Sequence, residues 1–226
     1  MVNWIMKYVT TTSFSICVNG ESCGYFKGGR GLRQGDPMSL YLFTLVMEIL
    51  TMIIKRKVEH CHEFQYHFGC KKLKITNICF VDDLLLFCHA DRTSVKVLRD
   101  SIEEFGKVAG LIPNYNKSTI IFCCLNNEEK QEILEVIPFK VEKLPIRYLG
   151  VPLTSKRIRI KECKSLIEKV ESRVFNWKNK CLSYARRLML VASVLESIHV
   201  YWASVIFLPD GVIKDINKIL KDFFWN

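Results

Sequence analysis

Two adjacent carboxylates, Asp82 and Asp83, stand between the apolar runs Ile78-Cys79-Phe80-Val81 and Leu84-Leu85-Leu86-Phe87. No other feature constrains the chain as much. Short apolar runs on both sides read as strands, so the acids fall where strands turn. Neighbouring side chains in an extended chain point to opposite faces. Both acids therefore reach one centre only if the backbone turns at the pair. Two carboxylates ~4 Å apart repel by about 4 kcal/mol at an effective dielectric near ~20, so they need a cation, a proton or solvent. Hard oxygen donors suit Mg²⁺, which keeps waters and substrate phosphates in its shell, with Mn²⁺ as the alternative. A hairpin tip that simply faces water fits the same residues.

The surrounding pattern alternates strands and helices. Thr10–Val18 is Thr- and Val-rich and ends at Asn19-Gly20, a hairpin turn signal, with Gly24–Phe26 returning. Asp36-Pro37 opens a helix running to about Lys57, with Asp as N-cap and Pro at the first helical position. That helix is apolar nearly all round, which predicts burial. Strands are expected over Ile75–Val81 and Leu84–Cys88. Val95, Leu98, Ile102, Phe105 and Ala109 mark an amphipathic helix closed by Gly110. Ser118–Phe122 is a short strand, Asn127 caps a helix ended by Pro138, and Tyr148–Leu153 is one further strand. Helices follow from about Ile160, then near Ser183–Phe207 and Val212–Phe224. The fold class is α+β, with an α+β unit over 1–153 and a helical unit over 154–226.

Charge is concentrated in one stretch. Between Lys140 and Leu190 fourteen Lys and Arg face four acids, which accounts for the whole net charge of +10. A polyanion partner fits such localisation, because neutralised phosphates release counterions; a solvated basic face is the plainer alternative. No signal peptide follows Met1, and ten cysteines without regular spacing read as reduced thiols of an intracellular protein. The apolar stretches Leu40–Ile54 and Leu188–Leu208 carry Glu48, Glu196 and His199, so buried helices are expected rather than membrane spans. Cys61-His62 and His67-x-x-Cys70 match none of the usual paired zinc spacings. Trp177, Trp202 and Trp225 are spaced like core or interface aromatics.

In order, the chain carries Arg30-Gly31-Leu32-Arg33-Gln34-Gly35-Asp36-Pro37, Phe80-Val81-Asp82-Asp83-Leu84, Gly110-Leu111 with Asn116-Lys117-Ser118, and Tyr148-Leu149-Gly150-Val151-Pro152-Leu153. These resemble the palm motifs of reverse transcriptases from plant LINE-type (non-LTR) retrotransposons. Leu182-Ser183-Tyr184-Ala185 and Tyr201-Trp202-Ala203-Ser204 with Leu208-Pro209 resemble the thumb region of the same family. The chain departs from the family pattern at Leu40, Val81 and Arg186, where Pro, Ala and Gly are usual.

The resemblance implies a partial polymerase palm, an antiparallel sheet with helices, followed by a thumb-like helical segment. It implies RNA-templated DNA synthesis with an RNA template, a DNA primer and deoxynucleoside triphosphates as partners. Asp82 and Asp83 are then catalytic and metal-binding, with two Mg²⁺ stabilising the attacking hydroxyl and the leaving pyrophosphate. Lys117 matches the position that protonates pyrophosphate. Arg30, Gly31, Gln34 and Gly35 form the loop against the nucleotide–template pair, and Tyr148, Leu149 and Gly150 the primer grip. Nuclear action follows from the family's life cycle only.

The family's first catalytic aspartate lies well upstream of the Gly31–Gly35 loop. Only Glu21 is acidic before Gly31, so the expectation is a truncated element, starting at an internal methionine and inactive alone. The competing expectation is a non-catalytic remnant that keeps the basic nucleic-acid-binding segment.

Overall fold

The computed structural model describes residues 1–29, 31–178 and 182–225, with Lys178 described by its backbone alone. It is a mixed α+β chain in two compact units, Met1–Lys140 and Val141–Asn226.

The first unit opens with α1 (Val2–Thr10), a helix that sequence reading passes over. Strands β1 (Ser13–Val18) and β2 (Glu21–Lys27) pair antiparallel. Their turn has Asn19 at φ 51° and Gly20 at φ 89°, the doubly left-handed geometry that matches strand twist. Helix α2 (Pro37–His60) begins where expected, and the Asp36 carboxylate accepts the Met38 N–H at 3.0 Å. Its burial is less than expected. Only Leu42, Leu50, Ile53 and Ile54 are buried, while Leu40, Tyr41, Leu45 and Met52 are 59, 66, 61 and 62% exposed. One stripe meets a partner, and the apolar residues opposite it stay exposed.

That partner is α3 (Arg92–Ala109), capped by Asp91 and closed by Gly110 at φ 70°. Leu50, Ile53, Ile54, Phe64, Leu98 and Phe105 form the shared core. Glu104 on α3 pairs with Arg56 and with Lys57 (3.1 Å) on α2. The two cations, Arg56 foremost, hold its carboxyl below the usual range. Between the two helices in sequence run β3 (Asn77–Phe80) and β4 (Asp83–Leu86), an antiparallel hairpin. Then come β5 (Thr119–Ile121) and α4 (Asn127–Val136). The cap of α4 is Asn126, one residue before the expected Asn127, in a reciprocal capping box with Glu129. Ile133, Val136, Ile137 and Val95 make a second core.

Strand β6 (Lys140–Glu142) lies at the division between the units. In the second unit the expected single strand over Tyr148–Leu153 is two strands, β7 (Ile146–Tyr148) and β8 (Val151–Leu153), around a Leu149-Gly150 turn. A 3₁₀ turn (Ile160–Cys163) leads into α5 (Lys164–Lys178). Helix α6 (Tyr184–Leu190) continues through a π turn (Val191–Leu195) into α7 (Glu196–Val205), and α8 (Asp210–Trp225) follows. Val151, Cys163, Leu166, Trp202, Val212 and Ile216 form one core. Val170, Val174, Leu195 and Phe223 form its neighbour. Trp202 is buried as expected, whereas Trp225 is 74% exposed against Tyr184 and Phe224.

The hairpins β1–β2, β3–β4 and β7–β8 are separate two-stranded ribbons. The continuous antiparallel sheet expected of a palm does not join them among the described residues. Helix α2 and the continuous segment Tyr184–Val205 are each long and apolar enough to cross a membrane.

Candidate functional site

The carboxylate pair sits at the tip of β3–β4. Phe80 pairs with Asp83, so Val81 and Asp82 make a two-residue turn and Asp83 opens β4. Val81 has φ 51°. A β-branched side chain is disfavoured there by roughly 1–2 kcal/mol, and surrounding structure must hold it. Two contacts do. Below the tip, Leu84 and Leu86 pack on the α2–α3 core, and the Asn77 amide donates to the Thr51 hydroxyl of α2 at 3.0 Å. At the tip, the Cys79 thiol donates to the Val81 carbonyl at 3.2 Å.

Asp82 and Asp83 are exposed. Burial pushes the Cys79 thiol up, and the fields of Asp82 and Asp83 push it further, so both negative charges are felt at one point beside the turn. Their oxygens fit a hard divalent cation in kind but are two donors only. Among the described residues no three His, Cys, Asp or Glu side chains converge on a metal position. This includes Cys61, His62, His67 and Cys70, where the His67 Nδ1 instead accepts the Gly69 N–H at 3.2 Å.

Of the loop residues, Arg30 lies outside the described residues. Gly31 (φ 95°) and Gly35 (φ 86°) occupy conformations that suit glycine, and Gln34 between them is exposed. Gly35 delivers the chain into the Asp36 cap of α2. The Tyr8 hydroxyl of α1 faces Asp36 without closing a hydrogen bond of good geometry. This hydroxyl, then the Met38 N–H, hold the Asp36 carboxyl below its ordinary range. Sequence reading missed Tyr8 because α1 itself went unseen.

Lys117 is exposed in a turn whose N–H groups, its own included, bond to Asn114. Neither Asp82 nor Asp83 is joined to it by an ion pair or hydrogen bond. Tyr148, Leu149 and Gly150 cluster at the β7–β8 tip. Leu149 (φ 51°) and Gly150 (φ 81°) form the turn, and the Tyr201 hydroxyl of α7 donates to the Leu149 carbonyl at 2.6 Å. The basic side chains Lys143, Arg147, Lys156, Arg157, Arg159, Lys161, Lys164, Lys169 and Arg173 of this unit are exposed.

A family model described as reverse transcriptase (RNA-dependent DNA polymerase) matches residues 1–153. The chain belongs to the reverse transcriptase family. Enzymes of this family act on a nucleic-acid template and primer with deoxynucleoside triphosphates and use a divalent metal. The domain is 30% identical, over 97% of its own length and 20% of the relative's, to the retrovirus-related Pol polyprotein from the type-2 retrotransposable element R2DM of Drosophila melanogaster. It is 23% identical, over 87% of its length and 15% of the relative's, to an uncharacterized 149 kDa protein of transposon TX1 from Xenopus laevis. A putative ribonuclease H protein of Arabidopsis thaliana is 35% identical over 33% of the chain and 12% of that protein. These similarities identify a reverse transcriptase domain of the non-LTR retrotransposon kind. The chain spans about a fifth or less of the length of these relatives.

Proposed function

We propose that the chain is the later palm and thumb of a plant LINE-type reverse transcriptase and that Asp82 and Asp83 are its metal-binding carboxylates. The carrying observation is the acidic tip of β3–β4, a strained turn held on the α2–α3 core with both charges acting beside it. Mg²⁺ held there, or Mn²⁺ in its place, would neutralise charge on the attacking 3′ hydroxyl and the departing pyrophosphate. The chain's own residues do the rest in this reading. Gly31, Gln34 and Gly35, with Arg30 beside them, bring backbone and an amide to the nucleotide–template pair. Lys117 delivers a proton to pyrophosphate. Tyr148, Leu149 and Gly150 seat the primer end, and the exposed basic side chains after Lys140 hold the RNA–DNA duplex by its phosphates.

A second reading has one observation in its favour. The described residues supply two carboxylates and no third ligand, which fits a nucleic-acid-binding remnant without chemistry. Primer extension on a primed RNA template with Mg²⁺, run beside duplex binding at several salt concentrations, separates the two. The expected result is duplex binding that weakens steeply with salt and no incorporation by residues 1–226 alone. Incorporation that vanishes in Asp82→Ala would assign the chemistry to this chain and remove the second reading. Binding indifferent to salt would sink both.

A further inference from the structure

We propose that Tyr201 is a positioning residue: its hydroxyl fixes the β7–β8 tip in the conformation that meets a primer end. The inference rests on reading Tyr148–Gly150 as the primer grip. The hairpin has three residues in each strand, and an isolated two-stranded ribbon is marginal in water. Its turn asks more than most, because Leu149 is a side-chain-bearing residue at φ 51°. Something outside the ribbon must hold it, and α7 does so with consecutive residues.

Trp202, 2% exposed, enters the core beside Val151 of β8. This seats the turn-proximal end of β8, where Val151 pairs with Tyr148. Tyr201, one residue earlier and so about 100° round the helix, reaches the tip and donates to the Leu149 carbonyl at 2.6 Å. The bond engages the strained residue itself, and its donor lies 52 positions away in sequence. Such a contact leaves the strands unchanged and restricts where the Leu149 and Gly150 backbone can point. Tyr201 is 45% exposed, so Tyr201→Phe removes the hydroxyl while leaving the ring and core in place.

The test uses the full chain and two readouts. Amide hydrogen exchange reports the tip: Gly150 and Val151 should exchange about five-fold faster in Tyr201→Phe, the loss expected for one hydrogen bond, while α5 and α8 amides stay unchanged. Fluorescence anisotropy compares an RNA–DNA duplex with a recessed primer 3′ end against a blunt duplex of equal length. Wild type should prefer the recessed end, and Tyr201→Phe should lose that preference about five-fold with blunt-duplex affinity intact. Unchanged exchange at the tip, or a preference retained in full, would overturn the positioning role. If wild type shows no end preference while exchange still quickens, the hydroxyl braces the tip but the primer-grip reading fails, and the inference fails with it.

Discussion

The hairpins β3–β4 and β7–β8 solve one problem in two ways. Each has a two-residue turn that opens with a side-chain-bearing residue at φ 51°, Val81 in one and Leu149 in the other. In each the carbonyl of that residue accepts a side-chain hydrogen bond. For Val81 the donor is Cys79, two residues away, and a thiol is a weak donor. For Leu149 it is a phenol reaching across from another helix at 2.6 Å. The second turn residues differ as well: Gly150 accepts a left-handed conformation freely, whereas Asp82 is not left-handed and carries charge. The acidic tip is thus locally held and strained, and the Leu149 tip is held by the tertiary structure. The β1–β2 turn, with Asn19 and Gly20, shows the cheap solution that both forgo.

Substitutions can break this comparison, starting with the largest effect. Trp202→Ala should destabilise the second unit by about 3–5 kcal/mol in urea unfolding, the range for a buried aromatic. Leu84→Ala, at a half-buried anchor of the acidic hairpin, should lie near the lower end for such deletions, about 2 kcal/mol. Equal losses would mean that the two anchors do not differ.

Stability at high pH is the next lever. Burial, with a smaller push from Asp91, drives the Cys88 thiol up to about 12. The unfolded thiol ionises near 9.0, so above that pH the unfolded chain releases a proton that the native chain retains. Stability should therefore fall as pH rises from 9 towards 12, by at most about 1.4 kcal/mol per unit. Below 9 this group contributes no slope. Cys88→Ala should make the slope shallower, leaving the part owed to Cys79 and Cys163, whose thiols burial also pushes up; an unchanged slope would place it elsewhere.

Relieving the turns is the direct comparison. Val81→Gly should raise stability by about 1 kcal/mol, because a β-branched residue leaves a left-handed position. Leu149→Gly should give under about 0.5 kcal/mol, since a half-buried side chain is lost along with the milder strain. Matching gains would show that the two turns are equally strained. Cys79→Ala should have the smallest effect, a loss of about 0.5 kcal/mol for a thiol hydrogen bond, with Cys79→Ser restoring it.

Local chemistry was readable in the sequence and tertiary partnership was not. Asn19-Gly20, Asp36-Pro37 and Gly110 act through their own backbone, and each does what its residue type demands. Helix α1 was missed because it is only nine residues long and runs into the Thr-rich stretch that reads as strand. Tyr148–Leu153 read as one strand, for Leu149 gives no warning of a left-handed turn and only the following Gly150 hints at it. The burial of α2 was overestimated because composition shows which faces are apolar, not which are covered. At the acidic tip the residue types are visible, but the strain at Val81 and the thiol behind it arise only in the folded hairpin. Tyr201 stood in view as part of a thumb-like motif, with nothing in the sequence to link it to a carbonyl 52 residues earlier.

The uncovered side of α2 bears on every solution experiment. Tyr41, Leu45 and Met52 follow one another at spacings of four and seven and are each more than half exposed. Apolar surface of this kind promotes self-association. Isolated chains should therefore stick to one another increasingly as they are concentrated. Unfolding midpoints and duplex affinities should be taken over a dilution series, and Leu45→Lys with Met52→Lys should flatten the concentration dependence without moving the dilute-limit values.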